Sequence, residues 1–137
     1  MTVDFLDALT AYLRADSGIA ALAGARVYPA ELPATEAASM PRYAVTIVPS
    51  GGGGEASDLA YQTPRVDVFC YAATPKQARM LYFEVARALQ GLRRNVHALT
   101  LLHTATPSAG PLMGRTPEAW PMAWGSWQIR AGTGDAS

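Results

Sequence analysis

The sequence predicts an α+β fold: a single domain with an antiparallel or mixed β-sheet, helices packed on one face, and a long Gly-rich β-hairpin loop. Three observations predict it. Apolar residues recur at helical spacing in two long stretches, one at the start of the chain and one in its middle. β-rich or alternating stretches, bounded by Pro and Gly, lie between and after them. The length of 137 residues, half of them hydrophobic and 16% charged, bounds the chain to one domain with a real core. The domain is expected to span 1–131, with a flexible hairpin loop over 49–62 and a polar, disordered tail over 132–137.

The first helix is predicted from about Thr2 to Ala15. Phe5, Leu6, Leu9, Tyr12 and Leu13 fall on one face of a 3.6-residue period. Thr2 caps it, Asp4 suits the positive end of its dipole, and Asp16-Ser17-Gly18 breaks it. A short helix over Ile19–Ala23 follows, terminated by Gly24. Arg26–Pro29 is a short extended piece, and Pro29, Pro33 and Pro41 mark an irregular connection. Tyr43–Val48 is a strand. Ser50–Asp58 then contains four consecutive glycines, which lose the most backbone entropy on ordering, so a hairpin tip is predicted there. The return strand runs from about Thr63 to Ala72. Arg65, Asp67, Phe69 and Tyr71 share one face, and Val66, Val68, Cys70 and Ala72 share the other.

Thr74-Pro75-Lys76-Gln77 places a Thr N-cap, Pro at the first helical position and Gln to complete a capping box. The helix runs to about Gln90, with Ala78, Leu81, Tyr82, Val85, Ala88 and Leu89 as its buried stripe and Gly91 as its end. Val96–Thr106 reads as a strand, Pro107–Pro117 as a connection, and Ala119–Ala131 as a last strand carrying Trp120, Trp124 and Trp127 on both parities.

Charge and chemistry exclude several functions. Eleven basic residues balance eleven acidic ones, which argues against an electrostatic grip on nucleic acid. Neutrality also removes the repulsion that keeps small proteins apart. The one cysteine, Cys70, allows no intrachain disulfide and lies mid-strand on the apolar side, as a packed core residue does. The start of the chain has no basic n-region, and no apolar run is long enough for a membrane span, so a protein made in a cytoplasm and without membrane contact is expected. Ser126 is not in a nucleophile elbow. His97 and His103, six apart on one strand, would be about 20 Å apart, too far to share a metal ion. Gly51–Gly54 lacks the Lys and the following helix of a phosphate loop. Arg93-Arg94 follows a helix end and reads as a carbonyl cap. No carboxylate pair has acid–base spacing. The expectation is a chain that is not an enzyme and has no catalytic residues, no cofactor and no metal.

What remains is a surface. Helices cover one side of the sheet, and the other side carries large aromatics that another subunit would cover. The residues assigned to a subunit or partner interface are Arg65, Asp67, Phe69, Tyr71, Tyr43, Trp120 and Trp124.

The order of several segments resembles the phage tail-completion or tail-terminator family, the head-proximal minor tail proteins of long-tailed phages and phage-like particles. The segments are Phe5-Leu6-Asp7-Ala8-Leu9, Leu13-Arg14-Ala15-Asp16 leading to Ile19-Ala20-Ala21-Leu22, Gly24-Ala25-Arg26-Val27-Tyr28, Pro41-Arg42-Tyr43-Ala44-Val45, Val66-Asp67-Val68-Phe69-Cys70-Tyr71, and Leu89-Gln90-Gly91-Leu92. Trp120-Pro121-Met122-Ala123-Trp124 departs from that pattern. The resemblance implies a structural virion protein, assembled in the bacterial host cytoplasm, that sits at the head-proximal end of the tail. It implies self-association into a ring, a hexamer, that caps the tail tube, joins the head–tail connector or stopper protein, and lets genome DNA through its lumen without specific binding. A ring needs heterologous contacts that close, which an aromatic patch or strand pairing at an open sheet edge can supply. In that picture Gly51, Gly52, Gly53, Gly54, Glu55 and Asp58 belong to a flexible arm that contacts a partner. A head-side neck stopper or adaptor is the alternative within the same assembly. A small-ligand-binding or enzymatic α+β domain is the alternative of another class.

Overall fold

The apolar stripes of two helices meet one face of a six-stranded sheet, and that contact is the core. The structure is a computed structural model and describes residues 5–55, 61–97 and 100–133. Its elements in chain order are α1 (Phe5–Arg14), α2 (Ser17–Ala23), β1 (Val27–Pro29), α3 (Ala34–Ala37), β2 (Ala44–Glu55), β3 (Tyr61–Tyr71), α4 (Pro75–Gln90), β4 (Asn95–His97), β5 (Thr100–Arg115) and β6 (Pro121–Thr133). The strands lie in the order β1-β2-β3-β6-β5-β4, curled like half a barrel. β1 pairs parallel with β2, and every other pairing is antiparallel. This is one α+β domain with a mixed sheet.

Local chemistry accounts for the helix ends. Asp16 caps α2 by accepting from the Ile19 N–H, and Gly24 takes φ +58° to end it. Thr74 accepts from the Gln77 N–H with Pro75 at the first position of α4, the Thr cap and Pro placement that the sequence predicts. The N-terminal segment before Phe5, including the Thr2 cap, lies outside the described residues.

Val45 and Ile47 of β2, Val66, Val68 and Cys70 of β3, and Ala123, Trp127, Ile129 and Ala131 of β6 pack with Leu9 and Leu13 of α1 and Leu81, Val85 and Leu89 of α4. Tyr12 ties the two helices together: its hydroxyl donates to the Ala88 carbonyl at 2.7 Å. Arg14 donates to the Val27 carbonyl and Arg26 to the Tyr43 carbonyl, which anchors β1 between α1 and β2. The proline-rich connection from Pro29 to Pro41 holds α3 and is clasped by Glu36, which is 5% exposed and accepts from Arg42 and from the Tyr28 hydroxyl.

Four sequence expectations change. Gly51–Gly54 and Glu55 are strand residues of β2, with Gly52 opposite Pro64 and Glu55 opposite Gln62, so the expected loop over 49–62 is not a loop at those positions. The register shifts on both sides of Gly52, where glycine's lack of a side chain accommodates the irregular pairing. Asp58 lies outside the described residues. The segment predicted as one strand over 96–106 is two strands, β4 and β5, that double back so that His97 faces Thr100. His97 and His103 therefore lie on separate antiparallel strands. Pro107–Arg115, expected as a connection, is the second half of β5; among the described residues β4 pairs only with Thr100–Leu102, so this half lies at the sheet edge, where the missing N–H of Pro107 and Pro111 is tolerated. Gly132 and Thr133 belong to β6, paired with Leu101 and Thr100, where the tail was expected to begin.

Candidate functional site

The sheet face away from the helices is built by the register between β3 and β6. Arg65 lies opposite Gln128, Asp67 opposite Ser126, Phe69 opposite Trp124 and Tyr71 opposite Met122. Because side chains alternate along a strand, this register puts the two aromatic sets on the same face. The Phe69 and Trp124 rings stack with centroids 5.5 Å apart and planes 28° apart. Tyr71 meets Trp120 edge-on at 6.4 Å. The Tyr71 hydroxyl also lies 3.3 Å from Thr46 Oγ1 of β2, and burial raises its pKa. Ser126 donates to Asp67 at 2.5 Å. All four aromatic side chains are half-buried, so they cover one another and leave their outward faces to solvent.

Six of the seven residues assigned to an interface lie on or beside this face. Tyr43 does not: it packs against the helix-side core, one residue before β2. Trp127, on the opposite parity to Trp124, is 1% exposed in the core. Arg65 is exposed at the more polar end of the face, where Thr63, Thr104, Thr106, Gln128 and Arg130 line a shallow depression.

The large apolar side chains that remain most exposed are elsewhere. Met80 and Phe83 stand on α4 at 44% and 55% exposure, and Leu112 and Met113 stand on β5 at 47% and 46%. Val96 of β4 is also exposed. Sequence reasoning missed these positions. In α4 the signal was present, since Met80 and Phe83 fall off the buried stripe. In β5 the prolines and glycines around Leu112 and Met113 concealed it.

Reactive chemistry is sparse among the described residues. Burial pushes the Cys70 thiol pKa far above its ordinary value. His97 Nε2 lies 3.2 Å from an Asp7 carboxylate oxygen. No three His, Cys, Asp or Glu side chains among the described residues gather as metal ligands, and no helix there is long and apolar enough to cross a membrane. The arrangement presents apolar and aromatic surface, which suits it to association.

The architecture defines an α+β protein with a curled mixed sheet backed by helices. No family model matches the chain, and no curated protein matches it in sequence. Among solved structures, it is similar in fold to a chain of one described as the virion of a native gene transfer agent (GTA) particle. The likeness has a TM-score of 0.56 at 21% identity and covers 93% of each chain.

Proposed function

We propose that this chain is a structural protein of a phage-like virion and that it serves as the tail terminator, a ring that caps the tail tube and joins it to the head connector. The observation that carries the reading is the end-to-end likeness of fold to a chain of a virion particle. Surface chemistry supports it, because the sheet face away from the helices gathers half-buried aromatic side chains of the kind that association covers. On this reading the protein is not an enzyme and acts by assembly with copies of itself, the tail tube and the connector. The β2–β3 hairpin, with four successive glycines near its end, is an arm that fits its backbone to a neighbour. Genome DNA passes through the ring without a specific grip, which suits a net charge of zero.

The test is antibody labelling and electron microscopy of particles from the producing cell. Label at the head-proximal end of the tail, on a ring of identical subunits, is the expected result. Particles that lack the chain altogether would overturn the virion reading, and label at any other position would overturn the terminator role alone.

A further inference from the structure

The sheet face away from the helices is zoned along its strands. Tyr71, Phe69 and Trp124 form its aromatic end, and Asp67 and Ser126 bond to each other in the middle. Beyond them Arg65 lies opposite Gln128. The register is unbroken from the pair Arg65–Gln128 to the pair Gln62–Ala131, which sets Thr63 opposite Arg130. On the other flank of β6, Thr104 lies opposite Arg130 and Thr106 opposite Gln128.

Three strands therefore bring a guanidinium, a carboxamide and three hydroxyls to one patch. Thr63, Thr104, Thr106, Gln128 and Arg130 line a depression of about 240 Å³. Arg65 is a diagonal neighbour of Arg130, at a spacing of about 7–8 Å that long side chains bridge. Among the described residues no acidic side chain lines the depression. The nearest carboxylate along β3, Asp67, accepts from Ser126 toward the aromatic end.

Most of the other arginines hold the fold together. Arg14, Arg26, Arg93 and Arg115 donate to main-chain carbonyls, and Arg42 and Arg87 pair with carboxylates. Arg65 and Arg130 instead bring their charge to one face at exposed positions.

These groups suit one kind of ligand. Guanidinium, hydroxyl and carboxamide all donate, and threonine, branched at Cβ, holds its hydroxyl with little rotamer freedom to lose. A carboxylate offers two oxygens in one plane. A phosphate spreads its oxygens in three dimensions and accepts from donors on several strands at once.

We propose that this depression binds a phosphate group, with Arg65 and Arg130 supplying the charge and the threonines and Gln128 the directed hydrogen bonds. The source of the phosphate rests on the ring-forming reading above: it is the backbone of the DNA that threads the ring. Phosphate contacts carry no sequence information, and a pair of arginines in one patch needs no basic excess in the whole chain.

Binding of the purified full chain to a short DNA duplex and to inorganic phosphate tests it. By fluorescence anisotropy at low salt, duplexes of two unrelated sequences should bind equally, and binding should fall as salt rises. Arg65→Gln with Arg130→Gln should weaken it by about tenfold or more. Lys76→Gln with Arg79→Gln removes the same charge from α4, across the sheet, and should change it by less than about twofold. All four positions are exposed, so melting temperatures should not move. No loss in the first pair, or an equal loss in both, overturns the site. Gln128→Glu, at another exposed position, sets a carboxylate among the donors and should weaken binding as far; an unchanged affinity overturns the site independently of the arginine variants. Calorimetry with inorganic phosphate separates the sources. Saturable phosphate binding that the first pair abolishes, without duplex binding, supports the site and overturns DNA as its source. Binding of neither probe overturns the proposal. Failure of the virion reading shows separately, as particles that lack the chain, and leaves these affinities unchanged.

Discussion

The indole Nε1–H of Trp127, on β6, donates a hydrogen bond to the phenol oxygen of Tyr82, on α4, at 3.2 Å. Trp127 is 1% exposed and Tyr82 4%, so no solvent replaces either partner. This bond ties the longest helix to the strand at the centre of the sheet. Tyr82→Phe removes the acceptor and leaves a buried N–H unpaired. The expected loss is about 1–3 kcal/mol of unfolding free energy, read from denaturant melts with an unchanged slope. A variant as stable as the parent would show that the bond contributes nothing net.

Gly125 sits beneath the same hydroxyl. A Cβ built there would collide with the Tyr82 hydroxyl and lie 2.8 Å from the Ala109 carbonyl oxygen, which is backbone and cannot swing aside. Gly125→Ala should therefore cost about 1–3 kcal/mol by overpacking. In a Tyr82→Phe background the hydroxyl part of the clash is gone, so the penalty should shrink. A double-mutant cycle measures that coupling, and strict additivity would contradict the geometry.

Glu36 makes stability depend on acid pH. Hydrogen bonds from Arg42 lower its pKa most, and the Tyr28 hydroxyl lowers it further against the opposing effect of burial. The folded value lies below the ordinary 4.5, so the unfolded chain takes up the proton first as pH falls. The contribution is fully present above the unfolded value and is lost as pH drops through the folded one. Melting temperature measured from neutral pH down through the carboxylate range should fall less steeply for Glu36→Gln than for the parent. Parallel curves would remove Glu36 from the acid response.

Cys70 is fully buried on the helix side of β3, and desolvation holds its thiol protonated. The folded protein should react with a thiol-specific dye only at the rate of its opening, and at once in denaturant. Rapid labelling of the native chain would mean that β3 is accessible as no strand in this core should be.

Much of the fold was legible because its signals are local. The Thr74–Gln77 cap needs only four residues to act, and α4 begins there. The alternation across β3 requires only the pleat, and the structure sends Val66, Val68 and Cys70 inward with Phe69 and Tyr71 outward. The stretches read wrongly are those where pairing partners override local preference. Glycines 51–54 look like a tip in isolation, yet the β2–β3 pairing continues through them irregularly, with Gly52 opposite Pro64 and Glu55 opposite Gln62. Pro107 and Pro111 argue against a strand unless its edge is free, and that depends on how far β4 reaches along β5, which no window of sequence shows.

The aromatic face was legible in part for the same reason. Phe69 and Tyr71 announce their side by parity, but that Trp124 stacks on one and Trp120 meets the other depends on the β3–β6 register. Tyr43 has the parity of Val45 and Ile47, and the structure turns that parity toward the helices, which the apolar residues on both faces of β2 did not reveal.

By itself, then, the sequence determined an α+β domain of neutral charge, with two amphipathic helices, a buried cysteine and aromatic residues in excess of what one sheet face needs. Periodicity, capping and composition act over a few residues and can be read without neighbours. Only the tertiary structure decided how that apolar surface is distributed. It folded the aromatics against one another and left Met80 and Phe83 exposed on α4 and Leu112 and Met113 exposed on β5. Exposure is decided by which elements pack over a residue, and that depends on strand order and helix placement across the whole chain.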